Sequence, residues 1–154
     1  MSIHWCAFLA MILGMPTGIQ PDMILPCEAE VLAQMIQGEG VHLMGGNEQV
    51  AGIVLVHTLL NGRAEGDTIR ETAEKRFHGY SPDIVPTSRN ILLAQWAAAI
   101  YPYKDISNGS VYVLSLTDLT NHGALSKAVE AQIAFRDGIW GLYFFRAWPL
   151  GEGK

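Results

Sequence analysis

The stretch Glu130-Ala131-Gln132-Ile133-Ala134-Phe135-Arg136-Asp137-Gly138-Ile139-Trp140-Gly141-Leu142-Tyr143-Phe144-Phe145-Arg146-Ala147 decides the fold class. Polar and apolar residues alternate from Glu130 to Arg136, the period of a half-buried strand. Asp137-Gly138 then supplies the two-residue turn that a tight hairpin needs, and Ile139 to Ala147 returns as the partner strand. Upstream, Ser110 to Leu116 is β-branched and aromatic and follows the breaker Asn108-Gly109, so it reads as a third strand. Earlier still, the pattern is helical. Val31, Leu32, Met35 and Ile36 fall at helical spacing within Glu28–Gln37, and Gly38 and Gly40 stop that helix. Asn47 is placed to cap a second helix, apolar on nearly every side between Val50 and Val56, ending at Asn61-Gly62. Asp67 is read as the cap of a short third helix, and Thr87 or Ser88 opens a fourth that ends near Ile100. Helices first and strands later predict an α+β domain: a helical bundle with a small antiparallel sheet of about three strands in the C-terminal third, one face of it covered by helices.

The 154 residues suit one domain. Only 16% are charged and 49% are apolar, which excludes a disordered chain. The net charge of −5, with no basic run, argues against a nucleic-acid partner. Cys6 and Cys27 are the only cysteines and form no Cys-x-x-Cys pair, so a cysteine-based zinc site is excluded and one disulfide is left open. Residues 1–26 read as an apolar segment and linker, separate from a folded domain over 27–154. The run from Trp5 to Met15 has the length of a signal-sequence core and is too short to span a bilayer. It lacks the usual Lys or Arg before it, so a degenerate export signal competes with a segment packed on the core.

Glu39 is the residue whose setting suggests chemistry. It follows an apolar helix and lies between two glycines, where a carboxyl can rest against apolar walls. Desolvation there raises its pKa and makes it a general acid at neutral pH; the competing reading is a solvated loop glutamate. Glu39 and His42 form a single Glu-x-x-His spacing, half of what a di-iron bundle uses, and the glycines interrupt the helix beneath it. His57, His78 and His122 show no metal-ligand spacing, and His57 reads as a hydrogen-bonded core histidine. No nucleophile elbow, P-loop or dinucleotide fingerprint occurs, so neither a metal nor another cofactor is expected. Phe77, Tyr80, Tyr101, Tyr103 and Tyr112 follow Glu39 in sequence and could stack on sugar rings, although each alone is an ordinary core residue.

Four segments in order resemble the SleB/CwlJ-type cell-wall hydrolase family, the spore-cortex-lytic enzymes. Leu32-Ala33-Gln34-Met35-Ile36-Gln37-Gly38-Glu39 resembles the family's opening helix end, with its catalytic glutamate falling on Glu39. Glu48-Gln49-Val50-Ala51 is similar to the start of the family's buried helix. Thr68-Ile69-Arg70-Glu71 leads to Phe77-His78-Gly79-Tyr80, and Asn108-Gly109-Ser110-Val111-Tyr112 resembles its strand. The resemblance covers roughly residues 28 to 146. It implies a lysozyme-like fold and cleavage of peptidoglycan between N-acetylmuramic acid and N-acetylglucosamine, with Glu39 catalytic and Phe77, His78, Tyr80, Asn108, Tyr112 and Ser115 binding substrate. It also implies a place in the cell envelope or outside the cell, as an enzyme of a cell or a phage lysin. The chain departs from the family in having no second Glu within 40–46, Arg76 where Gln precedes the Phe, and Leu114-Ser115-Leu116 after the strand.

A lone identifiable carboxylate favours lytic transglycosylation, in which the muramic 6-hydroxyl is the nucleophile. Hydrolysis needs a second carboxylate, for which Asp67, Asp83, Asp105 and Asp118 are the nominees. Two other readings compete: a catalytically silent glycan-binding or structural protein on this scaffold, and an unrelated intracellular α+β domain. A groove with Glu39 at its floor and Tyr80 and Tyr112 on its walls discriminates among them.

Overall fold

The computed structural model describes residues 26–137 and 140–151. Residues 1–25, Cys6 included, lie outside the described residues, as do Gly138 and Ile139, so the expected Asp137-Gly138 turn falls partly outside them. Helix α1 spans Pro26–Gly38, α2 Glu48–Gly62, α3 Ile69–Arg76 and α4 Ser88–Ile100. Strand β1 (Tyr112–Ser115), helix α5 (Leu116–Asn121) and strands β2 (Ile133–Asp137) and β3 (Trp140–Phe145) complete the α+β arrangement. Two 3-10 turns, Val41–Leu43 and Gly45–Asn47, join α1 to α2, and a third covers Leu125–Glu130. Among the described residues no helix is long and apolar enough to cross a membrane.

The expected central helix is α2, buried without interruption from Ala51 to Thr58 and on to Leu59, whereas Val50 is exposed. Helix α1 is sheathed almost as fully, with every residue from Val31 to Ile36 buried. A helix buried all round must satisfy its own polar side chains. Thr58 Oγ1 donates to the Val54 carbonyl at 2.8 Å. His57 is fully buried: its Nδ1 accepts from the Ile106 N–H at 3.0 Å, which leaves Nε2 to donate to the Ala97 carbonyl at 2.9 Å. That pair of bonds fixes a neutral imidazole and a structural role, in line with the sequence pattern.

Two helix starts differ from the expectation. Asp67 does not cap α3. Thr68 does, in a capping box with Glu71, because the motif Thr-x-x-Glu satisfies two backbone N–H groups at once. Asp67 instead pairs with Lys75 Nζ at 2.8 Å. Asn47 occupies the N-cap position of α2 but makes no side-chain cap bond there. For α4, Thr87 is the cap, accepting from the Asn90 N–H.

The sheet is antiparallel in the order β1-β3-β2, with Tyr112 opposite Phe145 and Asp137 opposite Trp140. Alternate residues of β3 face opposite sides. Leu142 and Phe144 join the main core of α1–α4, while Tyr143 and Phe145 pack with Leu114 and Leu119 in a second, smaller cluster. The sheet is therefore covered on both faces, not one, and the second cover includes Leu119 of α5. The β-branched and aromatic pattern carries β1 on to Leu116, but the strand stops at Ser115. Ser115 and Asp118 form a capping box that turns the chain into α5.

Candidate active site

Glu39 is the first residue past α1, and its N–H still donates to the Met35 carbonyl at 2.9 Å. Gly40 then adopts φ 73°, a left-handed conformation that ends the helix. Met35 and Ile36, both fully buried, anchor the turn before it. The side chain is set by a close backbone approach between Gly38 and Gly79. A Cβ on Gly38 would overlap the Gly79 carbonyl, and one on Gly79 would lie 2.8 Å from the Glu39 nitrogen. Only because neither residue has a side chain does the Gly79 N–H reach Glu39 Oε1, to which it donates at 2.8 Å. Burial pushes the Glu39 carboxyl above its ordinary value. The Gly79 N–H and the nearby His78 pull it back in part, and Asp118 pushes it up.

Glu39 lines two clefts. One, of about 170 Å³, is walled by Phe77, His78, Tyr112, Asp118 and Trp148. The other, of about 230 Å³, runs past Leu43, Met44, Leu116, Thr117 and Trp140. Trp140 and Trp148 are about half exposed, and each lines one of the two clefts. The Tyr112 ring is held from two directions: Trp148 meets it edge-on with centroids 5.4 Å apart, and the Arg76 guanidinium lies 4.7 Å from its centroid. Arg76 also donates to the Gly62 carbonyl and, at 2.6 Å, to the Val111 carbonyl. Arg76 thus ties the ends of α2 and α3 to the start of β1.

The structure brings together Glu39, Phe77, His78 and Tyr112 of the residues named from sequence. Phe77 is buried and supplies the cleft's apolar base, and His78 is exposed at its rim. Ser115 lines the second cleft, but its hydroxyl is spent on the α5 cap, donating to Asp118 Oδ2 at 2.7 Å. Tyr80 and Asn108 stand elsewhere. Tyr80 packs in the main core, with Arg70, Glu74 and Glu30 as its charged neighbours, because Gly79 reverses the chain between it and His78. Asn108 takes a left-handed turn position, φ 59°, and its carbonyl accepts from Arg146 Nε. The expected wall is therefore built from Tyr112 and Trp148 rather than Tyr112 and Tyr80. Tyr101 donates to Asn61 inside a polar network, and Tyr103 is exposed.

Glu39 and His42 do not converge, since the left-handed Gly40 separates them. His42 faces a different recess of about 450 Å³, whose charged pair Glu48–Arg89 closes on itself at 3.2 Å. Among the described residues no three His, Cys, Asp or Glu side chains are grouped to hold a metal ion. Of the four nominated aspartates, Asp67 is paired with Lys75 and Asp83 lies in the 81–85 loop. Asp105 accepts from Asn61, Ser107 and Gly109, and Asp118 alone shares a cleft with Glu39. Trp140 carries no site signal in the sequence because it stands in a strand pattern that looks like ordinary core, and Trp148 carries none because it follows that strand directly before Pro149. Asp118 is among the four nominees without a spacing argument; the Ser115-x-x-Asp118 helix-start signal after the strand is what sets it apart. No family model, curated protein or solved structure matches this chain.

Proposed function

We propose that this protein cleaves the glycan strand of peptidoglycan between N-acetylmuramic acid and N-acetylglucosamine, with Glu39 as general acid. The observation that carries the reading is a half-buried carboxyl, raised above its ordinary value by desolvation, at a position shared by two clefts that are each lined by a half-exposed tryptophan. A carboxylic acid that keeps its proton near neutral pH can deliver it to a glycosidic oxygen as the C1–O bond breaks. The Gly79 N–H on Oε1 leaves Oε2 as the oxygen to carry that proton, and it steadies the carboxylate once the proton has gone. The half-exposed Trp148 in one cleft and Trp140 in the other are the rings available for pyranose stacking on either side of Glu39, with Tyr112 held in place behind Trp148 by Arg76. Such a substrate would place the enzyme at the cell envelope or outside the cell.

The test is incubation of the purified chain and its Glu39→Gln variant with isolated peptidoglycan, the soluble products being read by mass spectrometry. Loss of a general acid lowers the rate by about 10²–10⁴-fold, so release by the wild type and its collapse in the variant are expected. No release by either, from vegetative wall or spore cortex, refutes catalysis and leaves the glycan-binding reading.

A further inference from the structure

We infer that Asp118 is the second carboxylate of this site, the general base that activates water, so that the chain hydrolyses its substrate. This rests on the glycosidase reading of Glu39. Asp118 is the one nominated aspartate that lines the cleft of Glu39, and it approaches from a different element, the first turn of α5. Its carboxylate is held rather than loose. Oδ2 accepts from the Ser115 N–H at 3.0 Å and from Ser115 Oγ at 2.7 Å, while the Asp118 N–H donates back to Ser115 Oγ at 3.0 Å. Oδ1 makes no hydrogen bond to the described residues and is the oxygen left to accept a proton. No hydrogen bond joins the two carboxyls, so they do not share one proton as a carboxylate dyad would.

The step balances without another reactant. The water oxygen bonds to the anomeric carbon as its proton passes to Asp118 Oδ1. The glycosidic C–O bond breaks, its electron pair going to the leaving oxygen, which takes the proton of Glu39. Asp118 then returns a proton to solvent and Glu39 regains one. Single displacement by water is the inverting arrangement, in which the two carboxylates flank the bond with room for water between them. A lone acid would leave the muramic 6-hydroxyl as nucleophile and a 1,6-anhydro end as product; a base in the same cleft gives water the advantage.

The experiment digests isolated peptidoglycan in ¹⁸O-water with the full chain, Glu39→Gln and Asp118→Asn, followed by mass spectrometry and a pH–rate profile. The amide oxygen introduced at position 118 can accept the same two bonds from Ser115, and circular dichroism checks that the fold is kept. Expected are reducing muramic ends carrying one ¹⁸O, a loss of about 100-fold or more in Asp118→Asn, and disappearance of the acidic limb of its profile while the alkaline limb stays. A merely structural role would not remove one limb. If the variant fails to fold, the wild-type products and profile decide: 1,6-anhydro ends, or a profile with no acidic limb, overturn the inference. So does an Asp118→Asn rate within threefold of wild type when Glu39→Gln is inactive, and in that case the glycosidase reading survives. No release by the wild type overturns both.

Discussion

The contact between Gly38 and Gly79 invites the most demanding test, because two alanine substitutions there change nothing but space. Neither residue has a positive φ, so alanine fits both backbones. Built on Gly79, a Cβ lies 2.5 Å from the Gly38 carbonyl carbon and 2.8 Å from the Glu39 nitrogen, where ordinary contact starts at 3.4 Å. Restoring ordinary contact therefore asks the two segments to part by about 0.9 Å. A shift of that size carries the Gly79 N–H from 2.8 Å past the outer limit of a hydrogen bond with Glu39 Oε1. Overpacking costs about 1–3 kcal/mol, and the bond to a carboxyl adds about 1 kcal/mol or more. A loss of about 3 kcal/mol is expected, or a fall in Tm of roughly 10 °C for a domain of this size. Gly46 is the internal control: a methyl added there meets nothing within 4 Å and its φ is not positive, so alanine should be neutral. Denaturant unfolding measures the difference, and a ¹³C carboxyl titration should find Glu39 moved further up once the Gly79 bond, which lowers it, has weakened. If Gly79→Ala unfolds within 0.5 kcal/mol of Gly46→Ala, a threshold set by ordinary surface substitutions, the close approach does not hold the acid as argued.

Glu39→Gln should be more stable than wild type at neutral pH. A carboxyl whose folded pKa is raised loses stability as pH climbs from the ordinary glutamate value through the folded one. The gain should therefore vanish below about pH 4, and an unchanged difference across that range, by thermal unfolding, would refute the assignment. Asp105 has the opposite sign: burial works to raise it, but bonds from Ser107, Asn61 and Gly109 together hold it below its usual value. Asp105→Ala should cost about 2 kcal/mol at pH 7, with the deficit shrinking as acid below about pH 4 protonates the wild type. Arg76→Lys keeps the charge but loses the fork that reaches Gly62 and Val111. A cost of about 1–2 kcal/mol and a weaker Tyr112–Trp148 contact, read from tryptophan fluorescence, are expected.

The order of elements was legible because apolar spacing and turn residues are local signals. The helix stops at Gly38-Gly40, the Asn61-Gly62 end of α2 and the β2–β3 pairing all follow from residues adjacent in sequence. Glu39 was legible for the same reason, an isolated carboxyl after a buried helix. What could not be read was which side of the chain each aromatic takes. Phe77 and Tyr80 look equivalent in a loop, yet Gly79 must touch Gly38, and that long-range approach sends Tyr80 into the core and His78 to the cleft. The second face of the sheet escapes a strand-by-strand reading because Ser115 looks like the tail of β1, although its capping box with Asp118 starts a helix.

The alternating allegiance of β3 bears on how the protein comes into being. Helices α1 to α4 make contacts mostly among themselves and emerge first during synthesis, whereas β1 has no partner until β3, near the end of the chain, arrives. Pairing at such sequence separation is slow because a long loop must close first. A nascent chain thus holds Glu39 at the end of a formed helix while the β1 wall waits unpaired and Trp140 and Trp148 are still to be made. Glu39 thus precedes its clefts: a chain cut before β3 lacks Trp140 and Trp148 and leaves β1 without its partner strand, so both walls depend on the last residues to be made.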